Sequence, residues 1–397
     1  MEINMTSRER LLSALNGKKA DRVPVTLFIQ SQGHFVRQLD ENIDPWNFEL
    51  LQKKVIDYQR SLGLDVHVRM LFFIPNNPVF AHFDLLNVER ETKEWKIKKE
   101  EVVDGTTTNY HYEITTPEGV LTQTFSINEN RPGIFMYSCT ESPLKEEEDI
   151  RIAMKYEPMY SDETKAEMKR QVKIIKEYLG EDGIVSAWCN GGMFNSLAGI
   201  YDQSELYSLF LTDPDLYELL MGFSKKRVYD FTQAVLDSGI DALCVRGNAA
   251  GGFVGNRCFQ EYILPYEKGY IEFCQKDGIP VIFHNCGQAA ELMESYKKLG
   301  AKNIEPWSPA PMGDRDFGFL QKEVGDVFSV TTGVNQVDVL QNGTVEMVRE
   351  ATIEAMEEGK RLHSFIMQNC DFLEYGTPLE NVKEYAEVAL EYADYKK

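Results

Sequence analysis

What most constrains this chain is an alternation of short apolar runs with helical segments that carry their own caps. The runs fall at 23–28, 65–72, 184–188, 242–247, 280–286, 303–307, 328–334 and 364–369. Each is bounded by turn or helix signals and has the length of a buried strand. Thr6 and Glu9 form a capping box, followed by Leu11, Leu12 and Leu15 at helical spacing. Asp213-Pro214 opens a long helix that stops near Ser238-Gly239, and Thr344 opens another that stops at Gly359. Thr377-Pro378-Leu379-Glu380 supplies an N-cap, a proline at the first position and a capping glutamate. Strands alternating with helices pair in parallel, and eight of them predict a closed (β/α)8 TIM barrel. The competing arrangement is an open doubly wound sheet. No Gly-x-Gly-x-x-Gly follows the first run, which argues against a dinucleotide site there.

The 397 residues suit one barrel domain over 1–397 with an insertion. Residues 73–145 break the rhythm. WKIKKEEVVDG, TTTNYHYEITTPEGVLTQTFSI and GIFMYSC alternate in polarity, are rich in β-branched and aromatic residues, and turn at Asp104-Gly105 and Pro117-Glu118-Gly119. They predict a β-hairpin-rich insertion, either a flap over the barrel mouth or a surface decoration.

A net charge of −21 disfavours nucleic acid and anionic membrane surfaces, both of which need a basic face. No apolar stretch is long enough to span a bilayer, and MEINMTSRERLLSALNG lacks the apolar centre of a secretory signal, so a cytoplasmic protein is expected. Seven scattered cysteines in a long chain do not make a disulfide framework.

The chemistry begins at PVIFHNCGQAA. Residues i and i+2 of a strand face the same way, so His284 and Cys286 point together at the C-terminal end of their strand, where barrel active sites lie. Cys370, in SFIMQNCDF, arrives at the end of the last strand. One imidazole and two thiolates are a donor set for Zn²⁺ with an open fourth position; core packing is the alternative for each. Glu305, in NIEPW, is a candidate fourth ligand or proton acceptor, or a solvated strand-end carboxylate. Asn190 in WCNGG and Asn248 in VRGNAAGG are candidates for orienting substrate oxygens, or they satisfy turns. Cys189, Cys244 and Cys258, and His34, His67, His82, His111 and His363, have no ligand spacing and read as structural.

RERLLSALNGKKADRVPV, YILPYEKGYIEFCQKDGIPVIFHNCG, LGAKNIEPWSPAPMGD and FIMQNCDFLEYGTPLENVKEYAEVA together resemble the uroporphyrinogen decarboxylase superfamily. Within it the chain is similar to the zinc- and corrinoid-dependent methyltransferases, whose signature is His-x-Cys with a distant Cys. The resemblance implies a (β/α)8 barrel, zinc on His284, Cys286 and Cys370, and a corrinoid (cobalamin) on a separate partner protein. It argues against porphyrinogen decarboxylation. The arginine-rich stretch that clamps substrate carboxylates after the first strand is LFIQSQGHFVRQL here, with only Arg37 nearby.

The expected activity is transfer of a methyl group from a methoxyaromatic ether to the partner's Co(I) corrinoid, an O-demethylation. The alternative is transfer from methyl-corrinoid to a thiol of the coenzyme M type. By the same resemblance the insertion at 73–145 favours the ether, since thiol-methylating members tend to lack one. A non-catalytic zinc protein is the third possibility. The sequence leaves the number of assembled chains open, with a homodimer one option.

Overall fold

The computed structural model describes residues 4–30, 34–74, 77, 85–131, 134–189, 191–247 and 251–396. Among the described residues eleven strands form two sheets: β1 Val66–Met70, β2 Lys96–Asp104, β3 Thr107–Thr115, β4 Val120–Arg131, β5 Ile134–Glu141, β6 Gly183–Cys189, β7 Ala242–Arg246, β8 Val281–His284, β9 Asn303–Glu305, β10 Ser329–Thr332 and β11 Phe365–Met367. The larger sheet is parallel, in the order β1-β6-β7-β8-β9-β10-β11, and its members pair in sequence order apart from the jump over the insertion. Strands β1, β6 and β8 are buried along their whole length, because helices cover one face and the barrel interior lies against the other. At the β1–β6 contact a Cβ on Gly183 would lie 1.8 Å from the Val66 carbonyl oxygen, so only glycine lets the two backbones meet there.

The segment 23–30 closes the ring. Val25 bridges Met367 of β11 and Gln30 bridges Arg69 of β1, both in parallel. Thr26 N donates to Met367 O at 2.9 Å, Met367 N to Pro24 O at 2.9 Å, and Asp65 N to Val25 O at 2.9 Å. All eight apolar runs of the sequence thus become staves of one barrel-like sheet, and the doubly wound alternative falls away.

Helix Ser7–Leu15 plugs the N-terminal end, burying Leu11, Ala14 and Leu15 against Ile184, Ala242, Cys244, Ile282 and Ile366 of the interior. Its capping box forms as the sequence implies, with Thr6 accepting from Glu9 N. The outer helices bury one stripe each. Asp162–Leu179, capped by Ser161, turns Met168, Val172, Ile175 and Leu179 inward at helical spacing. The last helix starts one residue later than its cap signal suggests. It spans Leu379–Glu391 with Pro378 at the N-cap, because the Thr377 hydroxyl donates back to Glu374 O at 2.8 Å instead of capping forward.

The insertion forms an antiparallel sheet in the order β2-β3-β4-β5. Its inner face packs Tyr112, Phe125 and Ile127 against Leu85 and Val88, while β2 is largely exposed. Phe135 on β5 meets the Trp46 ring at 5.2 Å between centroids, and Arg131 lies over Tyr375, which follows β11. Among the described residues no helix is long and apolar enough to cross a membrane.

Candidate active site

Register sets the site. His284, the last residue of β8, pairs with Arg246 of β7 on one side and Glu305 of β9 on the other. Partners in a parallel sheet project the same way, so these three side chains share the interior at the C-terminal rim. Cys286 follows two residues later. Asp371, just beyond β11, completes a cluster in which His284, Cys286 and Asp371 each bring a donor atom within 4.8 Å of the others.

One hydrogen bond further in, Glu305 orients His284. Its Oε1 accepts from His284 Nδ1 at 3.1 Å. The same carboxylate is gripped by Arg69 of β1, with Nη1 donating to Oε1 at 2.7 Å and Nη2 to Oε2. Arg69 is 1% exposed and Glu305 1% exposed. Arg69 Nη2 also donates to Gln368 Oε1 at 2.9 Å, and the guanidinium carbon lies 4.2 Å from the Phe28 ring centroid. An ionised carboxylate can only accept, so Nδ1 of His284 carries a proton, and Nε2 is the ring nitrogen left for a metal once it gives up its own proton.

The electrostatics follow from this chain of contacts. Burial alone would drive the His284 imidazole neutral, but the Cys286 sulfur and the Glu305 carboxylate win and raise it to about 10. Burial also penalises a charged Glu305, yet Arg69 and His284 hold its carboxyl well below the usual range. Asp371 goes the other way: burial raises it, and His284 only partly compensates.

The donors open into a cavity of about 290 Å³. Its walls are aromatic: Phe28, Trp188, Phe372 and, from the insertion, Tyr137. Phe28 and Trp188 stack with centroids 6.0 Å apart, and both meet the His284 ring edge-on, at 5.9 and 5.3 Å. Arg246 and Gln30 add polar groups to the lining.

Cys370, the third donor that the resemblance implies, stands apart from this cluster. Cys370 is fully buried, but its sulfur lies 3.7 Å from Thr332 Oγ1 and 3.6 Å from Gly333 O and is not among the clustered donors. The cause is a bend after β11. The Asn369 carboxamide accepts from Phe28 N at 2.8 Å and donates to Phe28 O at 3.1 Å and Asp371 O at 2.6 Å. The bend interrupts the inward alternation that Gln368 begins, so residue 371 faces the cavity and residue 370 does not. Glu305 likewise stands one bond behind the donors and is not one of them. Asn190 and Asn248 lie outside the described residues. His67 bonds Ser186 Oγ at 2.8 Å and Asp65 pairs with Arg10 and Arg22, so both serve the interior. Arg37 donates to Ile43 O at 2.7 Å and does not line the cavity.

The donor set fits a metal ion. Imidazole nitrogen, thiol sulfur and carboxylate oxygen are all zinc ligands, three protein donors leave a position for a guest, and the carboxylate behind the histidine is the usual support of such a ligand.

The sequence model of the uroporphyrinogen decarboxylase (URO-D) family matches residues 115–392. A methylated-thiol–coenzyme M methyltransferase of Methanosarcina mazei is 24% identical over 144 residues, 36% of this chain and 36% of that one. The methylcobamide:CoM methyltransferase MtbA of Methanosarcina acetivorans is 22% identical over 222 residues, 56% of this chain and 62% of that one. The matches therefore span between about a third and three fifths of these relatives' own lengths. In solved structures, a methyltransferase from Methanosarcina mazei shares the fold, with a TM-score of 0.69 at 16% identity over 98% of this chain and 99% of that chain. A family match that begins inside the insertion and runs through every stave from β6 to β11 settles the kinship: the chain belongs to the uroporphyrinogen decarboxylase family.

Proposed function

We propose that this protein is a corrinoid-dependent methyltransferase that takes a methyl group from an aryl methyl ether. The observation that carries this reading is a nitrogen, sulfur and oxygen donor cluster opening into an aromatic-walled cavity sized for a single ring. The C–O bond breaks with its electron pair left on oxygen as a phenolate, and the methyl passes to the Co(I) corrinoid of a separate protein. A zinc ion on His284, Cys286 and Asp371 would supply Lewis-acid stabilisation of that oxygen. The chain's own part is positional. Arg69 fixes Glu305, Glu305 fixes the His284 tautomer, and Phe28, Trp188 and Phe372 hold the ring and exclude water. A phenol ionises near pH 10, which makes phenolate a far better leaving group than an alkoxide.

A second reading, methyl transfer to a thiol, is favoured by the activities that the curated relatives' names describe. Decarboxylation of an eight-carboxylate macrocycle fits poorly with about 290 Å³ and one lining arginine.

The test is incubation with a panel of aryl methyl ethers and a reduced corrinoid carrier, read by methyl-cobalt absorbance. Turnover should need the carrier and should vanish in His284→Ala or Cys286→Ala variants that keep the fold. A response confined to thiols moves the assignment to the second reading, and full activity in both variants removes the metal from the scheme.

A further inference from the structure

Arg246 is the cation of the cavity that the scheme above leaves unused. It is the last residue of β7 and the register partner of His284, so it rises from the neighbouring stave on the same side. Its backbone is pinned, its carbonyl accepting from Gly192 N at 2.8 Å. Its side chain is half-buried and lines the cavity together with the donor cluster. Among the described residues no carboxylate lies within ion-pair distance of it, although the chain carries 63 acidic residues against 42 lysines and arginines. Arg69, deeper in the interior, already spends both of its terminal nitrogens on Glu305 and Gln368. A half-buried guanidinium with no counter-ion among the described residues matches an anion brought by the ligand.

We propose that the small-molecule ligand of this cavity carries an anionic group, a carboxylate or a sulfonate, and that Arg246 binds it while the reacting oxygen or sulfur faces His284, Cys286 and Asp371. This rests on the methyl-transfer reading for the identity of the reacting atom, but not for the anion site. In a protein of net charge −21 an anion is otherwise repelled, so one local guanidinium selects among ligands of equal shape. Two ligand types share this chemistry: methoxybenzoates and short thiol sulfonates.

The test is equilibrium binding to the zinc-loaded full-length protein, by calorimetry, with two matched pairs. These are 4-methoxybenzoate against 4-methoxybenzyl alcohol, and 2-mercaptoethanesulfonate against 2-mercaptoethanol. In at least one pair the anion should bind on the order of tenfold or more tightly than its neutral partner. Arg246→Gln should abolish that difference while zinc content and affinity for the neutral partner stay unchanged. Arg246→Lys should restore part of it, which guards against a folding defect. The pair that responds identifies the source, aromatic acid or thiol sulfonate. Equal binding within both pairs, or an anion preference that survives in Arg246→Gln, overturns the proposal. Because binding is read without a corrinoid, failure of methyl transfer alone leaves this result standing.

Discussion

Arg69 and Glu305 form a doubly hydrogen-bonded ion pair inside the barrel, 236 residues apart in sequence and each about 1% exposed. Glu305 then spends its remaining acceptor capacity on His284, so the pair is the foundation of the donor cluster. A buried charge that loses its partner is costly, whereas losing both charges together costs much less. Arg69→Met should therefore destabilise the protein by about 3–5 kcal/mol, and Arg69→Met with Glu305→Gln by clearly less. Urea denaturation of the single and double variants checks this, and simple additivity would contradict it.

Glu305→Gln by itself tests the support of the histidine. It keeps the shape but weakens the acceptor that holds Nδ1, so zinc affinity measured by chelator competition should fall about 10–100-fold. A larger loss, down to no binding, would mean that Glu305 is itself a ligand.

Glu267 sets a pH dependence away from the cavity. It is 3% exposed, accepts from Phe194 N at 2.9 Å, and presses its other oxygen, which has no partner, against Gly192, where a Cβ would lie 1.8 Å away. Burial pushes its carboxyl up from 4.5 to about 7, the Met193 and Phe194 amides opposing. The folded protein therefore holds this proton more tightly than the unfolded chain does. The stability it contributes is full below pH 4.5 and is lost as pH rises through about 7. Glu267→Gln mimics the protonated form and should be more stable than the parent by about 3 kcal/mol at pH 8, with the difference shrinking toward zero near pH 4.5. Unfolding curves at pH 5 and 8 decide it.

Tyr137 brings the insertion to the chemistry. It stands on β5, stacks on Phe125 at 6.1 Å between centroids and lines the cavity. Tyr137→Ala should weaken an aromatic ligand by about 1 kcal/mol, several-fold in affinity, and leave zinc content unchanged. An unchanged affinity would make the insertion a bystander.

The staves, the caps other than that of the last helix, and the His284–Cys286 pair were legible because each is written in local spacing: period two for the strands, fixed offsets for the caps. Arg69 was harder to see, since a lone arginine in an apolar run reads as a solvent-facing charge. The available signal was VHVRM, where His67 and Arg69 share one face of a strand whose other face carries Val66, Val68 and Met70. The partners of Arg69 and Glu305 were not legible at all, because only closure of the barrel brings β1 opposite β9. Tyr137 was hidden for the same reason, as nothing in an alternating hairpin says which edge meets the barrel mouth.

The third metal donor gives the sharpest test, because spacing and geometry disagree over adjacent residues. Alternation continued from Gln368 selects Cys370, and the bend clamped by Asn369 selects Asp371. Burial favours a neutral Cys370 thiol, although the Arg315 guanidinium pulls toward thiolate, and the sulfur is engaged with Thr332 and Gly333. Moving it into the cluster would break the Asn369 contacts that also tie down Phe28. Asp371→Asn should thus lower zinc affinity by tenfold or more while Cys370→Ser leaves it within about threefold, as each protein ligand contributes directly to the ion's hold. Sulfur-sensitive X-ray absorption on the zinc-loaded protein gives an independent count, with one sulfur expected. Two sulfurs, together with a Cys370→Ser variant that loses the ion, would mean that metal binding straightens the bend and brings Cys370 into the donor set that the family resemblance implies.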